Sequence, residues 1–278
     1  MDKKVLTVQD ISCVGQCSLT VALPIISACG IETAILPSAV LSTHTSGFKG
    51  FTFRDLTEDI PAIVDHWERE RIQFDAIYTG YLGSLRQIDL VKDLFVRVAA
   101  PDCIKVVDPA MADHGVMYTG FDDAFAAHMA TLCAKADIVL PNITEATKML
   151  GMPFVAEGYT QDYVETIMEG LLALGAGTVV LTGVGFAPDA LGVAVRSKTD
   201  TETSYYFHER LAKNSHGTGD IYSSAFVGAL MRGKSAFDAA VIAADFTLAG
   251  MKATADDDTH WYGTKFEKVL PTLCEMVK

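Results

Sequence analysis

Short runs of β-branched and aliphatic residues alternate along this chain with longer segments whose apolar positions recur every three or four residues. The first run, residues 4–9, is followed by a small-residue loop and a helical period over 18–29. The pair then recurs: 33–36 with a helix near 59–70, 76–78 with a helix over 84–99, and 105–107 with a helix near 122–135. Residues 138–140 precede a helix over 144–150, and a further helix, 160–174, leads into a run at 178–182. Strands alternating with helices at this spacing predict βαβ units. The expected fold is therefore α/β, with a doubly wound, mostly parallel central sheet and helices on both faces. Two strands without an intervening helix predict an antiparallel edge near 190–207. Helices over 219–232, 235–255 and 265–276 follow. No repeat, linker or compositional shift marks a boundary, so residues 1–278 read as one domain with flap loops near 42–50 and 110–120.

Sheets of this kind bind ligands beyond the carboxyl ends of their strands. That rule singles out residues 9–10, 42–50, 79–83, 108–118, 141–145, 182–185 and the turn at Gly217. Half of the 278 positions are hydrophobic, which supports a sizeable core and excludes a disordered or disulfide-stapled chain. Against 22 Lys and Arg stand 35 Asp and Glu, a net charge of −13. Duplex nucleic acid and anionic membranes both require a basic face, so neither partner is expected. The first residues do not resemble a secretory signal, and the longest apolar stretch, 21–31, is interrupted by Pro24, Ser27 and Gly30. Six cysteines form no C-x-x-C pair and read as reduced thiols, mostly core-packed, Cys13 included. A cytoplasmic protein is the expectation.

Gly228-Ala229-Leu230-Met231-Arg232-Gly233-Lys234-Ser235 matches the phosphate-loop pattern G-x-x-x-x-G-K-S. Such a loop works only between a buried strand and a helix N-terminus, where its N–H groups converge. Here Ile221, Ala225, Phe226, Ala229 and Leu230 follow a helical period instead. Gly233 is read as the left-handed residue closing that helix and Ser235 as the N-cap of the next.

His216-Gly217-Thr218-Gly219-Asp220 is different, because it stands immediately before a strongly helical segment. Two glycines let successive N–H groups turn toward one spot, and the helix dipole adds positive potential there. The turn can stabilise charge on a phosphoryl group in transfer, and Asp220 can accept a proton from a hydroxyl held beside it. An Asp in the first helical turn is also common for purely structural reasons.

Further segments fall in order along most of the chain: Val8-Gln9-Asp10, Leu41-Ser42-Thr43-His44-Thr45, Thr79-Gly80-Tyr81-Leu82-Gly83-Ser84, Val107-Asp108-Pro109 and Pro141-Asn142-Ile143-Thr144-Glu145. With the Gly217–Asp220 turn they resemble the ribokinase-like superfamily and, within it, the pyridoxal/pyridoxine/pyridoxamine (vitamin B6) kinase family. The resemblance implies ATP-dependent phosphorylation of a B6 vitamer's 5′-hydroxymethyl group by direct in-line transfer. Asp220 would be the base and Gly217, Thr218 and Gly219 the anion hole. Asp108, Asn142, Glu145 and Thr182 match the nucleotide side, and Glu145, Asp113 and Asp108 the surroundings of Mg²⁺ and of a monovalent cation such as K⁺. Asp10, His44, Thr45 and Tyr81 match positions around the pyridine ring, and Tyr118 matches an aromatic on the flap, residues 113–118. Residues 205–213 would supply part of the adenine wall, and a homodimer is the family expectation.

Taken alone, Asn142 also reads as a helix N-cap and Thr182 as a strand terminus. Asp10 departs from the family, in which many members carry Ser. A hydroxyl can donate to a neutral ring nitrogen, whereas a carboxylate prefers a protonated ring or another donor. Asp10 therefore points toward a shifted vitamer preference or a related aminopyrimidine alcohol. A hydroxymethylpyrimidine kinase or another small-alcohol kinase of the superfamily is the alternative, and a non-catalytic ligand sensor a more distant one. No HExxH, zinc spacing or G-x-S-x-G elbow supports metalloprotease or hydrolase chemistry.

Overall fold

The computed structural model describes residues 3–212 and 215–278. In chain order its elements are β1 (Lys4–Ser12), α1 (Leu19–Ala28), β2 (Glu32–Leu41), β3 (Phe53–Asp55), α2 (Ile60–Arg69), β4 (Phe74–Thr79), α3 (Leu85–Arg97) and β5 (Ala99–Val107). There follow β6 (Ala112–Asp113), β7 (Val116–Met117), α4 (Asp123–Cys133), β8 (Ile138–Val139), α5 (Ile143–Leu150), α6 (Gln161–Leu174) and β9 (Thr178–Val184). The rest comprises β10 (Ala190–Ser197), β11 (Ser204–Glu209), α7 (Thr218–Met231), α8 (Ala236–Thr254), two short 3₁₀ turns and α9 (Leu270–Met276).

Nine strands form one sheet in the order β11-β10-β9-β8-β5-β4-β1-β2-β3. Pairing is parallel from β9 through β2 and antiparallel at both margins, where β10 and β11 form one edge and β3 the other. Successive side chains of a strand face opposite ways, and β1 shows the consequence. Leu6 and Val8 join a core with α2 to α6, whereas Val5 joins a second core with α1, α7, α8 and α9. The expected doubly wound sheet and its antiparallel edge are both present.

Several boundaries differ from the expected ones for identifiable reasons. β3 was not anticipated, because its three residues are all exposed and carry no alternation. α3 stops at Arg97, since Ala99 is drawn into β5 opposite Phe74. The last expected helix, 265–276, is broken at Leu270 by Pro271, which cannot continue a preceding helix and instead occupies a first-turn position. All six cysteines are free, and Cys13 is exposed rather than core-packed. No helix among the described residues is long and apolar enough to cross a membrane.

The rejected phosphate loop behaves as its local sequence dictates. Gly228 lies inside α7, Gly233 has φ +90°, and the Ser235 hydroxyl caps α8 by accepting from the Asp238 N–H at 3.1 Å. Lys234→Ala is accordingly expected to change nucleotide affinity and turnover by less than about twofold, because no anion cradle exists there. A titration calorimetry measurement showing a tenfold or larger loss would reinstate the motif.

Candidate active site

β1 lies between β2 and β4, so the chain leaves it to one side and returns on the other. A crevice opens at the carboxyl ends of strands that diverge in this way. Asp10 stands at this point on β1, where the register against β2 shifts between Gln9 and Ile11. Its carboxylate is turned inward, and the residue is only 5% exposed. Ser12 Oγ donates to one carboxylate oxygen at 3.0 Å and Ser18 Oγ to the other at 2.5 Å. Burial raises the Asp10 pKa, and those two hydroxyls oppose the rise.

The opposite wall is the glycine turn. Gly217 adopts φ +78° and begins α7 without a side-chain cap, so the first-turn N–H groups remain available to a ligand. Asp220 follows in that first turn. Burial, then the nearby Asp108 and Asp10, push its carboxyl up to about 7, while the Ser18 backbone N–H pulls it down. An acid held there is part ionised at neutral pH and part protonated, which suits a general base. Asp108 is buried, accepts from Ser223 Oγ of α7 at 2.7 Å and from the Ala110 N–H at 3.1 Å, and is pushed by burial to about 6.

Asn142 and Glu145 form a reciprocal cap on α5: the Asn142 side chain accepts from the Glu145 N–H at 2.9 Å, and Glu145 accepts from the Asn142 N–H at 2.9 Å. The other Glu145 oxygen accepts from the Met111 N–H at 3.0 Å, and the Asn142 amide donates to the Ala112 carbonyl at 2.8 Å. The Thr144 hydroxyl accepts from the Gly115 N–H at 3.0 Å. This one helical turn therefore anchors the 110–120 flap both at its stem, through Met111 and Ala112, and at its turn, through Gly115. Burial and the Asp108 charge together hold Glu145 well above the usual carboxylate range. Thr182 sits beside Asn142 in an isolated parallel bridge and donates its N–H to the Pro141 carbonyl at 2.9 Å.

The flap itself is a hairpin, β6 paired with β7, with positive φ at both His114 and Gly115. Two left-handed central residues are what a type I′ turn demands. Asp113 lies at its tip with an exposed carboxylate accepting from the His114 N–H at 2.8 Å. It is thus not gathered with Asp108 and Glu145, contrary to the expected metal set. Among the described residues, no three His, Cys, Asp or Glu side chains approach closely enough to hold an ion between them. Tyr118, 42% exposed, hangs from the flap near Glu145, Asp113, Asp108 and Asp220; burial and those carboxylates raise its phenol.

On the ring side, Tyr81 packs on Phe121 at 5.5 Å, and Phe121 stacks on Phe125 at 3.8 Å. His44 is buried and spends both ring nitrogens on the protein. Nδ1 accepts from the Ser46 N–H at 3.1 Å, so Nε2 is the donor to the Tyr262 carbonyl at 2.8 Å. Neither nitrogen is thereby left for a ligand, and Gly15, Phe48 and His216 pack around the ring. Phe48 packs against both His44 and Trp261, at 5.0 and 4.7 Å, and ties the 42–50 loop to the segment before α9. Thr45 is exposed on that loop. Beside the glycine turn is a cavity of about 290 Å³, with Leu211, Ala212 and Ser215 on one side and Met251, Ala255 and Trp261 on the other. Of the expected adenine wall, Leu211 and Ala212 reach this cavity, Tyr205 is bonded instead to Glu165 and Tyr206 to Asp245, and Lys213 lies outside the described residues.

Sequence reasoning missed Ser12, Ser18 and Ser223. Only Ser223 had a local signal, since it is three residues after Asp220 and shares its helix face.

A family model described as phosphomethylpyrimidine kinase matches residues 26–263. The chain belongs to this family. Its members here include phosphotransferases acting on alcohols, the activity class to which the protein is therefore assigned. A Bacteroides thetaiotaomicron VPI-5482 protein assigned to phosphomethylpyrimidine kinase, crystallised with pyridoxal, is 37% identical with a TM-score of 0.93, covering 98% of this chain and 96% of that one. Pyridoxal kinase from Lactobacillus plantarum is 30% identical with a TM-score of 0.89, covering 99% and 97%. A pyridoxine/pyridoxal/pyridoxamine kinase from Bordetella bronchiseptica is 26% identical over 261 residues, 91% of this chain and 89% of the relative. These relatives agree with the vitamin B6 kinase resemblance within the ribokinase-like superfamily.

Proposed function

We propose that the protein transfers the γ-phosphoryl group of ATP to the primary hydroxymethyl group of a B6 vitamer. The observation that carries this reading is the position of Asp220, directly behind the Gly217 turn in the first turn of α7 and near enough to Asp108 and Asp10 for their charges to raise its carboxyl. The alcohol would lie between these two carboxylates, its hydroxyl toward Asp220 and its ring toward Asp10, Tyr81 and the His44 ring. Asp220 takes the hydroxyl proton as the oxygen attacks phosphorus, and the Gly217–Gly219 N–H groups receive charge on the transferring oxygens. No covalent enzyme intermediate is needed. Nucleoside would occupy the cavity between Leu211 and Met251, with its phosphates running past the turn.

Asp108 and Glu145 would offer a cation oxygen donors alone, which fits hydrated Mg²⁺, and such an ion would relieve their mutual repulsion. When bound, the ion would neutralise charge on the triphosphate; Asp113 could join only if the flap moved inward. Flap closure, with Tyr118, would exclude water that otherwise competes for the phosphoryl group.

A second reading has its own support. The family model is that of phosphomethylpyrimidine kinase, and a carboxylate at Asp10 suits an amino-substituted pyrimidine as well as a protonated pyridine. A coupled ADP-release assay with pyridoxal, pyridoxine, pyridoxamine and hydroxymethylpyrimidine separates the two. Turnover of the pyrimidine alone would sink the B6 reading, and no turnover of any alcohol would sink both. Asp10→Ser is expected to re-order the four kcat/KM values by about tenfold or more, the worth of one charge-assisted hydrogen bond. An unchanged ranking would remove Asp10 from specificity.

A further inference from the structure

Ser18 stands at the N-cap of α1 with φ 52° and ψ −135°, yet its side chain caps nothing. Positive φ at a non-glycine residue is costly and persists only where surrounding structure enforces it. What enforces it here is visible on both sides of the residue. Its hydroxyl is spent on Asp10 at 2.5 Å, and its backbone N–H lies near enough to Asp220 to oppose the rise of that carboxyl's pKa. A helical or extended conformation at this position would direct those two donors differently. The segment leading to Ser18 is itself clamped. The Cys13 N–H reaches the Leu41 carbonyl at 2.8 Å, Gly15 lies close against the His44 ring, and the Gln16 carbonyl lies against Gly217.

We propose that Ser18 is a positioning residue that fixes the separation between the ring-facing carboxylate, Asp10, and the proton-accepting carboxylate, Asp220. One short residue bonds Asp10 through its side chain, and the segment it ends packs the Gln16 carbonyl on the Gly217 turn that carries Asp220, so the distance between the two carboxylates cannot vary independently of that segment. In the B6 or pyrimidine reading on which this rests, that distance is the span from ring to hydroxymethyl oxygen. Ser18 thereby acts as a gauge of substrate length, although it need touch neither reacting atom.

The two roles can be separated by substitution. Ser18→Gly removes the hydroxyl but accepts the same backbone angles without strain. Ser18→Thr keeps the hydroxyl but adds a β-branch that resists positive φ. Steady-state kinetics is measured first on the wild-type holoenzyme, so that a missing activity bears on the functional reading and a missing split bears on Ser18. The glycine variant is expected to raise KM for the alcohol about tenfold, the loss of one hydrogen bond to a charged group, with kcat and KM for ATP nearly unchanged. The threonine variant is expected to lower kcat about tenfold or more with KM for the alcohol retained, a misplaced base being felt in the transition state. If both variants instead shift kcat and both KM values in parallel with a fall in melting temperature, Ser18 is merely structural and the proposal is overturned. Should the threonine variant not fold, the glycine variant decides alone, and an unchanged KM for the alcohol overturns it.

Discussion

Asp220→Asn is expected to lower kcat by about 10²–10⁴-fold, the usual contribution of a general base, while MgATP continues to bind. The asparagine preserves size and leaves the N–H groups of the Gly217 turn in place, so nucleotide affinity should stay close to that of the wild type by calorimetry. Activity in the wild type should rise with pH through about 7, where burial and the Asp108 and Asp10 charges have placed this carboxyl. The stability effect has the opposite sign. A folded-state pKa raised above the unfolded value contributes stability at low pH that is lost as pH rises through the folded pKa. The ligand-free wild type should therefore lose thermal stability between about pH 4 and 7 on account of Asp220. Asp220→Asn should escape that part of the loss and melt several degrees higher than the wild type at pH 8. Turnover surviving at a tenth of the wild-type rate or more, an upper bound far outside the expected range, would remove Asp220 as the base. A variant melting below the wild type at pH 8 would show that the carboxylate is not held against an electrostatic cost.

Gly217→Ala should be the most damaging single methyl group in the crevice. A Cβ at this position would stand 1.6 Å from the Gln16 carbonyl oxygen and 2.8 Å from its carbon, and φ is +78°. Both obstacles are backbone, so no side chain can swing aside. The turn must move away from the 13–18 segment, which costs on the order of 3 kcal/mol or more and displaces the N–H groups proposed to receive the phosphoryl oxygens. Gly219→Ala is the matched control, since a Cβ there meets nothing within 4 Å. It should fold with a near-native melting temperature and act only on the ligand, raising KM for ATP or lowering kcat. Equal melting curves for Gly217→Ala and the wild type would refute the close approach of the turn to Gln16.

Residues whose roles are settled within a single turn of chain were legible in advance. Asn142 and Glu145 are three apart and cap each other, and Gly233 and Ser235 end one helix and start the next. Each is decided by backbone geometry over four or five residues, which sequence spacing encodes directly. The alternation of strands and helices was legible for the same reason, because burial imposes periods of two and 3.6 on the local pattern. Its failures fell where the pattern vanishes, as in exposed β3, or where a neighbour overrules it, as in the early start of β5 opposite Phe74.

The site itself was only partly legible. That Asp220 and its glycines open a helix could be read from spacing, and that Asp108 follows a strand from the run before it. That Asp108 is held by Ser223, 115 residues away, and that His44 is held by the Tyr262 carbonyl, 218 residues away, could not. The expected metal role of Asp113 illustrates the limit. Its type belongs with Asp108 and Glu145, but a type I′ turn carries it out to the flap tip.

What the sequence alone determined was the α/β class, the parallel order of local units, and a glycine turn with an acid behind it at the start of a helix. Those features follow from interactions between residues close in the chain. The tertiary structure alone decided which carboxylates lie near one another, in which direction burial and mutual repulsion shift them, and that Ser18, at positive φ, bonds Asp10 across from the turn that carries Asp220. Proton affinity and alignment depend on what is packed nearby in space, and a linear pattern contains no record of distances between residues that only folding brings together.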